Sequence, residues 1–359
     1  LLNYVKVWTT SDEESTTSPT TARQFDLAKL LLEEMKGMGI EDAMMDEYGY
    51  VYGHIPATPG YENCTAIGFL AHMDTAPDYS GENVNPQIIE NYDGKDVVLG
   101  TSGRTLTVKD FPSLKNMTGK TLITTDGTTL LGADDKAGIA EIMTVAEELL
   151  KGDIPHGNVC LAFTTDEEVG SGACHMDLER FGAPYAYTVD GGPEGEIQFE
   201  NFNAASAEFV IHGVNVHPGE AKDIMVNSMK IAMELQGMLP EQEAPEHTEG
   251  YEGFFHLMEM NGSVEETTMS YLIREFDAEK YEARKALMQE ITAKINAKYG
   301  EGTVELKLED SYRNMREMIE PCMQLIDFAV QACKDADVEP DIAPIRGGTD
   351  GARLSFVGL

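Results

Sequence analysis

The feature that most constrains this chain is a pattern repeated along its first half, in which a short apolar run stops on a histidine or an acidic cluster. The run Thr65–Ala71 leads into His72 and Asp74, Val159–Phe163 leads into Asp166, Glu167 and Glu168, and Tyr185–Val189 leads into Asp190. Continuous apolar runs bounded by turn residues read as buried strands. A further block, Lys120–Thr124, reads the same way, and Ala137–Leu150 carries helical spacing, as does Arg23–Met38 before its glycine stops. Strand and helix alternating in this way specify an α/β sheet with helices on its faces, and such sheets place their sites beyond the carboxyl ends of the strands.

Beyond residue 203 the order changes. Ala204–His212, Met269–Phe276 and Thr303–Leu308 read as strands, and Ala221–Leu235 and Ala278–Tyr299 as helices, which makes a compact α+β insert. Pro240–Gly253 reads as a long loop, and a helix near Pro321–Cys333 followed by Arg346-Gly347-Gly348-Thr349-Asp350-Gly351 returns to the first domain. The expected division is therefore a metal-binding domain over 1–202 and 316–359, interrupted by a lid and dimerisation domain over 203–315. At 359 residues the chain is long enough for two cores.

Charge excludes several partners. Against 26 basic side chains stand 63 acidic ones, a formal charge of -37, which repels phosphate backbones and anionic membranes. No nucleic acid and no membrane is expected, and no apolar run approaches spanning length. A field this negative suits divalent cations and substrates that carry a free ammonium group. Cys64, Cys160, Cys174, Cys322 and Cys333 form no C-x-x-C pair, which points to a reducing compartment, the cytoplasm, rather than to a disulfide framework.

The chemistry sits in four places. In His72-Met73-Asp74 the two functional side chains are two residues apart, hence on one side of an extended backbone, where Asp74 is placed to orient the imidazole. In Gly132-Ala133-Asp134-Asp135-Lys136 one aspartate can cap the following helix, and two exceed what a cap requires. Three adjacent carboxylates at Asp166-Glu167-Glu168 repel one another unless a cation or solvent intervenes. Asp190 ends a strand and precedes two glycines. Histidine and carboxylate donors without cysteine suit zinc, cobalt or manganese, and two ions sharing a carboxylate make a water-activating hydrolase. Glu167 and Glu168 diverge as neighbours, so one is free to bind metal while the other takes a proton.

These motifs, with Tyr187-Thr188-Val189-Asp190-Gly191-Gly192 and Asn215-Val216-His217-Pro218-Gly219, resemble the tripeptide aminopeptidases of the M20 metallopeptidases in order and spacing from end to end. The resemblance implies a zinc-peptidase catalytic domain of mixed sheet flanked by helices, with a smaller α+β lid, and two Zn2+ per subunit. It implies that His72 and Asp190 bind one ion, that Asp134 bridges both, and that Glu168 binds the second. It assigns Glu167 as general base and Asp74 as the residue that clamps the metal-binding imidazole. His217 is implied to reach the active site of the partner subunit of a homodimer and hold the oxyanion there, while Arg274 and Arg346 anchor the carboxylate end of the substrate, a pairing that suits a guanidinium.

The implied substrates are short peptides, tripeptides above all, with a free N-terminus. The same architecture also serves two-zinc hydrolases of dipeptides or N-acyl amino acids, and an inactive binding or scaffold form is the remaining competitor. The sequence opens on Leu1-Leu2-Asn3-Tyr4-Val5 without methionine, and family members continue past Leu359 to supply a further histidine to the second ion. The expectation for the chain as printed is thus one tightly held zinc, with His72, Asp134 and Asp190 around it, and little peptidase activity.

Overall fold

A computed structural model describes residues 1–359, and these divide into two compact units, Leu1–Pro193 with Thr349–Leu359, and Glu194–Gly348. In the first unit the elements run α1 (Gln24–Met38), β1 (Met44–Met45), β2 (Val51–Ile55), β3 (Ile67–His72), β4 (Pro86–Ile89), β5 (Val97–Val98), β6 (Thr105–Leu106), β7 (Leu122–Thr125), α2 (Ala133–Leu150), β8 (Val159–Thr164), α3 (Leu178–Phe181) and β9 (Ala186–Thr188). The main sheet has the order β1-β2-β8-β3-β9. It is mixed, because β2 runs antiparallel to β8 whereas β3 is parallel to both β8 and β9. Strands β4 to β7 form two small ladders in the stretch between β3 and α2, around Tyr92, Val97, Leu99 and Leu114.

Side-chain alternation divides the sheet into two apolar faces. Val51, Ile55, Val159, Leu161 and Phe163 pack with Leu27, Leu31, Ile139 and Ile142 of α1 and α2. Tyr52, Leu70, Cys160 and Ala162 pack with Phe181 and Leu354 on the opposite face. Both faces being covered, the strands read as unbroken apolar runs, which is why β3 and β8 were visible in the sequence. The β2 run escaped because Gly53 interrupts it. A Cβ there would lie 2.3 Å from Met35 Cε and 2.9 Å from Ile40 Cγ2, so the glycine lets α1 and its turn approach the strand.

The second unit contains β10 (Glu196–Ile197), β11 (Asn203–His212), α4 (Ser228–Gln236), β12 (Phe254–Gly262), β13 (Glu266–Glu275), α5 (Ala278–Tyr299), β14 (Val304–Tyr312), α6 (Arg316–Ile319), α7 (Gln324–Asp335) and β15 (Asp341–Ile342), after which α8 (Asp350–Val357) belongs to the first unit. An antiparallel sheet of order β12-β13-β11-β14 carries α4 and α5 on one face, around Phe209, Ile231, Leu235, Met269, Met288 and Ile291.

Three expectations differ from this arrangement. The helix read from Ala221 starts at Ser228, because Asn227 caps it by accepting the Lys230 N–H and Val226 bridges Val214 as extended backbone. Strand β12 was absent from the reading, since a register shift between Leu257 and Glu259 breaks its alternation. The compact units divide at 193/194 and 348/349 rather than at 202/203 and 315/316. Parallel pairing of β10 with β15, and the packing of α7 on β10, keep residues 316–348 with the second unit.

One glycine joins fold to site. A Cβ at Gly138 in α2 would fall 1.9 Å from Val189 O and 2.5 Å from Asp135 Oδ1, and backbone cannot yield as a flexible side chain does. We expect Gly138→Ala to cost about 1–3 kcal/mol, the range for overpacking, and to loosen metal binding through the displaced 189–190 strand end. Denaturant midpoints and zinc content of the purified variant check this; wild-type values for both would refute it.

Candidate metal centre

Parallel pairing aligns His72 of β3 with Thr164 of β8 and Leu70 with Thr188 of β9, so three strands end together and the start of α2 faces them. His72 is 3% exposed. Its Nδ1 lies 3.1 Å from the Asp74 carbonyl and 3.4 Å from Asp74 Oδ1. A carbonyl only accepts, so Nδ1 carries the donated proton and Nε2 is the atom turned outward, 2.9 Å from Asp134 Oδ1 and 3.8 Å from Asp190 Oδ1.

The paired aspartates divide their work. Asp134 and Asp135 both have non-helical backbone angles. Asp135 is buried; its Oδ1 accepts the Gly138 N–H at 3.1 Å, as an N-cap does, and its Oδ2 accepts the His72 N–H at 3.2 Å. Asp134, whose side chain is 63% exposed, is left to face His72 and hydrogen-bonds the Asp190 carboxyl. The sequence could not say which aspartate capped, because that depends on the angles of the turn.

Asp74 is fully buried, and besides meeting His72 its two oxygens accept the N–H groups of Glu167 at 3.0 Å and Glu168 at 3.2 Å. It holds the acidic turn as well as the imidazole, a second contact set that H-x-D spacing did not reveal. Glu167 lines a small cavity with Leu70, His72, Thr164, Thr188 and Asp350. Asp350, at the start of α8, had no assigned role; it is buried, and Thr164 Oγ1 donates to its Oδ2 at 3.2 Å. A buried aspartate at a helix start inside a glycine-rich motif was its only signal.

The electrostatics describe a site short of positive charge. Burial, with Asp350, Asp190 and Asp74 adding to it against the opposing His72, pushes the Glu167 carboxyl up to about 8. Burial and then Asp134 and Asp74 push Glu168 to about 7, burial pushes Asp135 to about 9, and burial together with the His72-opposed Asp74 charge pushes Asp350 to about 7. Asp190 is raised by burial and by Asp134, whereas the hydrogen bond to His72 lowers Asp134. Burial works to lower the His72 pKa, but its bonds to Asp134 and Asp74 outweigh it and hold the ring well above 6.5. Without cations, protons fill the place of the missing charge.

Two donor sets fit a cation. His72, Asp134 and Glu168 present ligand atoms within 4.8 Å of one another, and so do His72, Asp135 and Asp190. The oxygen-and-imidazole chemistry of both sets suits zinc. The structure thus brings His72, Asp74, Asp134, Glu167, Glu168 and Asp190 into one place.

The other three expected residues belong to the second unit. His217 is exposed and its Nδ1 accepts the Gly219 N–H at 3.2 Å. Arg274 lies over the Tyr312 ring at 5.3 Å and donates to the Ile273 carbonyl. Arg346 lies over Phe202 and Phe254 and donates to the carbonyls of Gly250 at 2.6 Å, Glu252 at 3.1 Å and Thr248 at 3.4 Å.

The chain is similar to known proteins along its whole length. Residues 199–303 match the peptidase dimerisation domain and residues 118–247 match the M42 glutamyl aminopeptidase family. Peptidase T of Clostridium novyi is 56% identical over 360 residues, covering 100% of this chain and 88% of that relative. Peptidase T of Aliivibrio fischeri is 55% identical over 359 residues with the same coverage. Among solved structures, aminopeptidase PepT from Bacillus cereus superposes with a TM-score of 0.77 at 23% identity, covering 99% of this chain and 86% of that one. A tripeptidase from Staphylococcus aureus gives 0.76 at 21% identity, covering 100% and 86%. Those two likenesses establish the fold. Fold and site together define a metallopeptidase of the M20 type. Within that class, the chain belongs to the peptidase T family.

The raised carboxyls and the raised imidazole all mean that, in the metal-free protein, the folded chain holds more protons than the unfolded one near neutrality. Stability that these groups contribute in acid is therefore lost as pH rises from about 4 to about 8. Thermal melts of the metal-free protein should fall over that window, and added zinc should raise Tm more at the upper end, where it no longer competes with protons. A flat or rising profile would contradict the charge deficit.

Proposed function

We propose that this chain is a zinc-dependent aminopeptidase that releases the N-terminal residue of tripeptides. The observation that carries the reading is Asp134, which meets His72, hydrogen-bonds Asp190 and shares a donor set with His72 and Glu168, while His72 shares a second set with Asp135 and Asp190. A carboxylate so placed suits a pair of ions, with His72 and Asp190 holding one, Glu168 the other, and Asp134 both. When bound, zinc supplies Lewis acidity that polarises the scissile carbonyl and acidifies water.

The chain's own residues do the rest. Glu167, with its carboxyl raised by burial and its backbone fixed on Asp74, takes the proton of the attacking water and returns it to the departing amine. Asp74 accepts from the His72 ring through its carbonyl and keeps Nε2 aimed at the ion position. Arg274 and Arg346 recognise the carboxyl end of the peptide; for Arg346 this exchanges the carbonyls of the 248–252 loop for the ligand. His217 supplies a donor to the oxyanion in the active site of the partner subunit. The working lid is taken as 203–315, which holds the whole four-stranded sheet, with 1–202 and 316–359 as the catalytic parts.

The peptidase dimerisation domain at 199–303 supports a homodimer, in which an exposed His217 gains a role. All five cysteines are free, which supports the cytoplasm, and no helix is long and apolar enough to cross a membrane.

Glu167→Ala should keep its zinc while turnover of a free tripeptide falls by at least about 100-fold, in the range for general acid-base catalysis. Parallel loss of metal and activity would make Glu167 a ligand instead. A panel of tripeptides, dipeptides and N-acyl amino acids fixes the substrate class, and a preference for the acylated compounds would overturn the tripeptidase reading. Light scattering should return twice the chain mass, with a fully active monomer as the contrary result.

A further inference from the structure

The residue that precedes Glu167 is bound as elaborately as any in the first unit. Asp166 is 1% exposed and sits at φ 61°, left-handed backbone that a non-glycine residue adopts only when its surroundings hold it there. Its carboxylate accepts from the Thr20 N–H at 3.0 and 2.8 Å, from Thr20 Oγ1 at 2.5 Å and from Gln24 Nε2 at 2.6 Å. Gln24, wholly buried at the start of α1, completes the exchange by accepting the Asp166 N–H on Oε1 at 3.1 Å. The Asp166 carbonyl then accepts the Ser171 N–H at 2.8 Å, closing the turn that contains Glu167 and Glu168.

We infer that Asp166, gripped by Thr20 and Gln24, is a positioning residue for Glu167. Two anchors fix the turn from opposite directions. Thr20 and Gln24 hold Asp166 through its side chain and N–H, and Asp74 holds the next two residues through theirs. Glu167 directly follows the left-handed residue and its own N–H is held on Asp74, so its Cα–Cβ direction has little freedom. Glu167 touches the reacting atoms in the proposed mechanism; Asp166 acts only through it. The inference rests on that reading for its kinetic consequence, whereas the mechanical claim, that the 165–171 turn is held by residues 20 and 24, stands apart from it.

Asn tolerates left-handed backbone, so Asp166→Asn keeps the turn conformation and alters only the hydrogen bonds: with its amide oxygen kept on Gln24 Nε2 and Thr20 Oγ1 its NH2 is set against the Thr20 N–H, and with the amide flipped that NH2 is set against Gln24 Nε2. Gln24→Glu places a carboxylate against a carboxylate. The double variant Asp166→Asn with Gln24→Glu restores complementarity, because the Asn amide now donates to Glu Oε and that carboxylate still accepts the residue 166 N–H. In the zinc-loaded enzyme each single variant should lower kcat by about 10- to 100-fold with KM within about twofold, as expected when a catalytic group is misplaced by fractions of an ångström. The double variant should recover most of the loss.

Hydrogen exchange on the metal-free protein gives a readout that needs no activity. Amides of 165–171 should exchange faster in both single variants and return toward wild type in the double, with α2 unchanged in all three. Should Asp166→Asn not fold, Thr20→Val removes one donor at similar volume and carries the same expectation at smaller size. Unchanged exchange in the turn, or a kcat within twofold in both single variants, overturns the inference. Loss of zinc in proportion to activity does so too, since it would make the clamp a support of the ligands. Altered exchange with a Glu167→Ala variant that retains full turnover would instead sink the general-base reading and leave the clamp standing.

Discussion

The Asp74 carboxylate is the contact on which the rest of the site depends. It is fully buried, and its two oxygens accept consecutive N–H groups from the acidic turn while one of them also lies 3.4 Å from His72 Nδ1. Two pieces of chain from different parts of the sequence thereby meet on one residue: the end of β3 with its imidazole, and the turn after β8. A buried carboxylate is costly unless its lone pairs are satisfied, and here the donors that satisfy it are the backbone of the two glutamates. Desolvation is thus compensated by the act of placing Glu167 and Glu168.

Around that fixed point the fold accumulates negative charge that it does not neutralise. Lys136 is buried nearby, but its Nζ donates to the Val7 carbonyl, and burial lowers it to about 8. His72, with Lys136 near Asp74 and Arg353 near Asp350, then stands against Asp134, Asp190, Glu168, Glu167 and Asp350, too little to keep all of them ionised. The apolar packing on both faces of the main sheet tolerates this. Residues such as Leu31, Ile139 and Phe163 are wholly buried, each contributing on the order of 1.5–3 kcal/mol by the usual transfer values. The deficit is local, and divalent cations are the chemical species that would correct it without filling the site with protons.

How much of this the sequence disclosed depends on how local each determinant is. His72, Asp134 and Asp190 were legible because strand runs and turn residues are properties of a few neighbouring positions. The division between Asp134 and Asp135 was not, because it depends on backbone angles at the head of α2. Neither was the second function of Asp74, since its partners lie about the length of a small domain away in the chain. Strand β12 was lost to a bulge and β2 to a glycine, both cases in which packing overrides the alternation that a strand normally shows. The compact units have other limits than the expected domains because the β10–β15 ladder is only two residues long on each side, too short to leave a periodic signal.

The same reasoning explains why Arg346-Gly347-Gly348-Thr349-Asp350 is worded as it is. Within the second unit, a Cβ at Gly348 would lie 2.9 Å from the Tyr312 ring, and that ring carries the Arg274 guanidinium on its other contacts. Arg346 is held by aromatic rings and loop carbonyls. Within the first unit, the Asp350 carboxylate occupies the space a side chain at Gly172 would need, with Oδ2 2.3 Å from that ideal Cβ. Glycine at 172 and at 348 is therefore required by contact rather than by backbone angle, for neither has positive φ. Arg346, Gly348 and Asp350 are each fixed by a separate contact and are intolerant of substitution, whereas a Cβ at Gly347 would meet nothing nearer than Ile345 Cγ2 at 4.0 Å. Such intolerance follows from packing and charge alone, so the wording of the motif is by itself no measure of how directly each of its residues serves the chemistry.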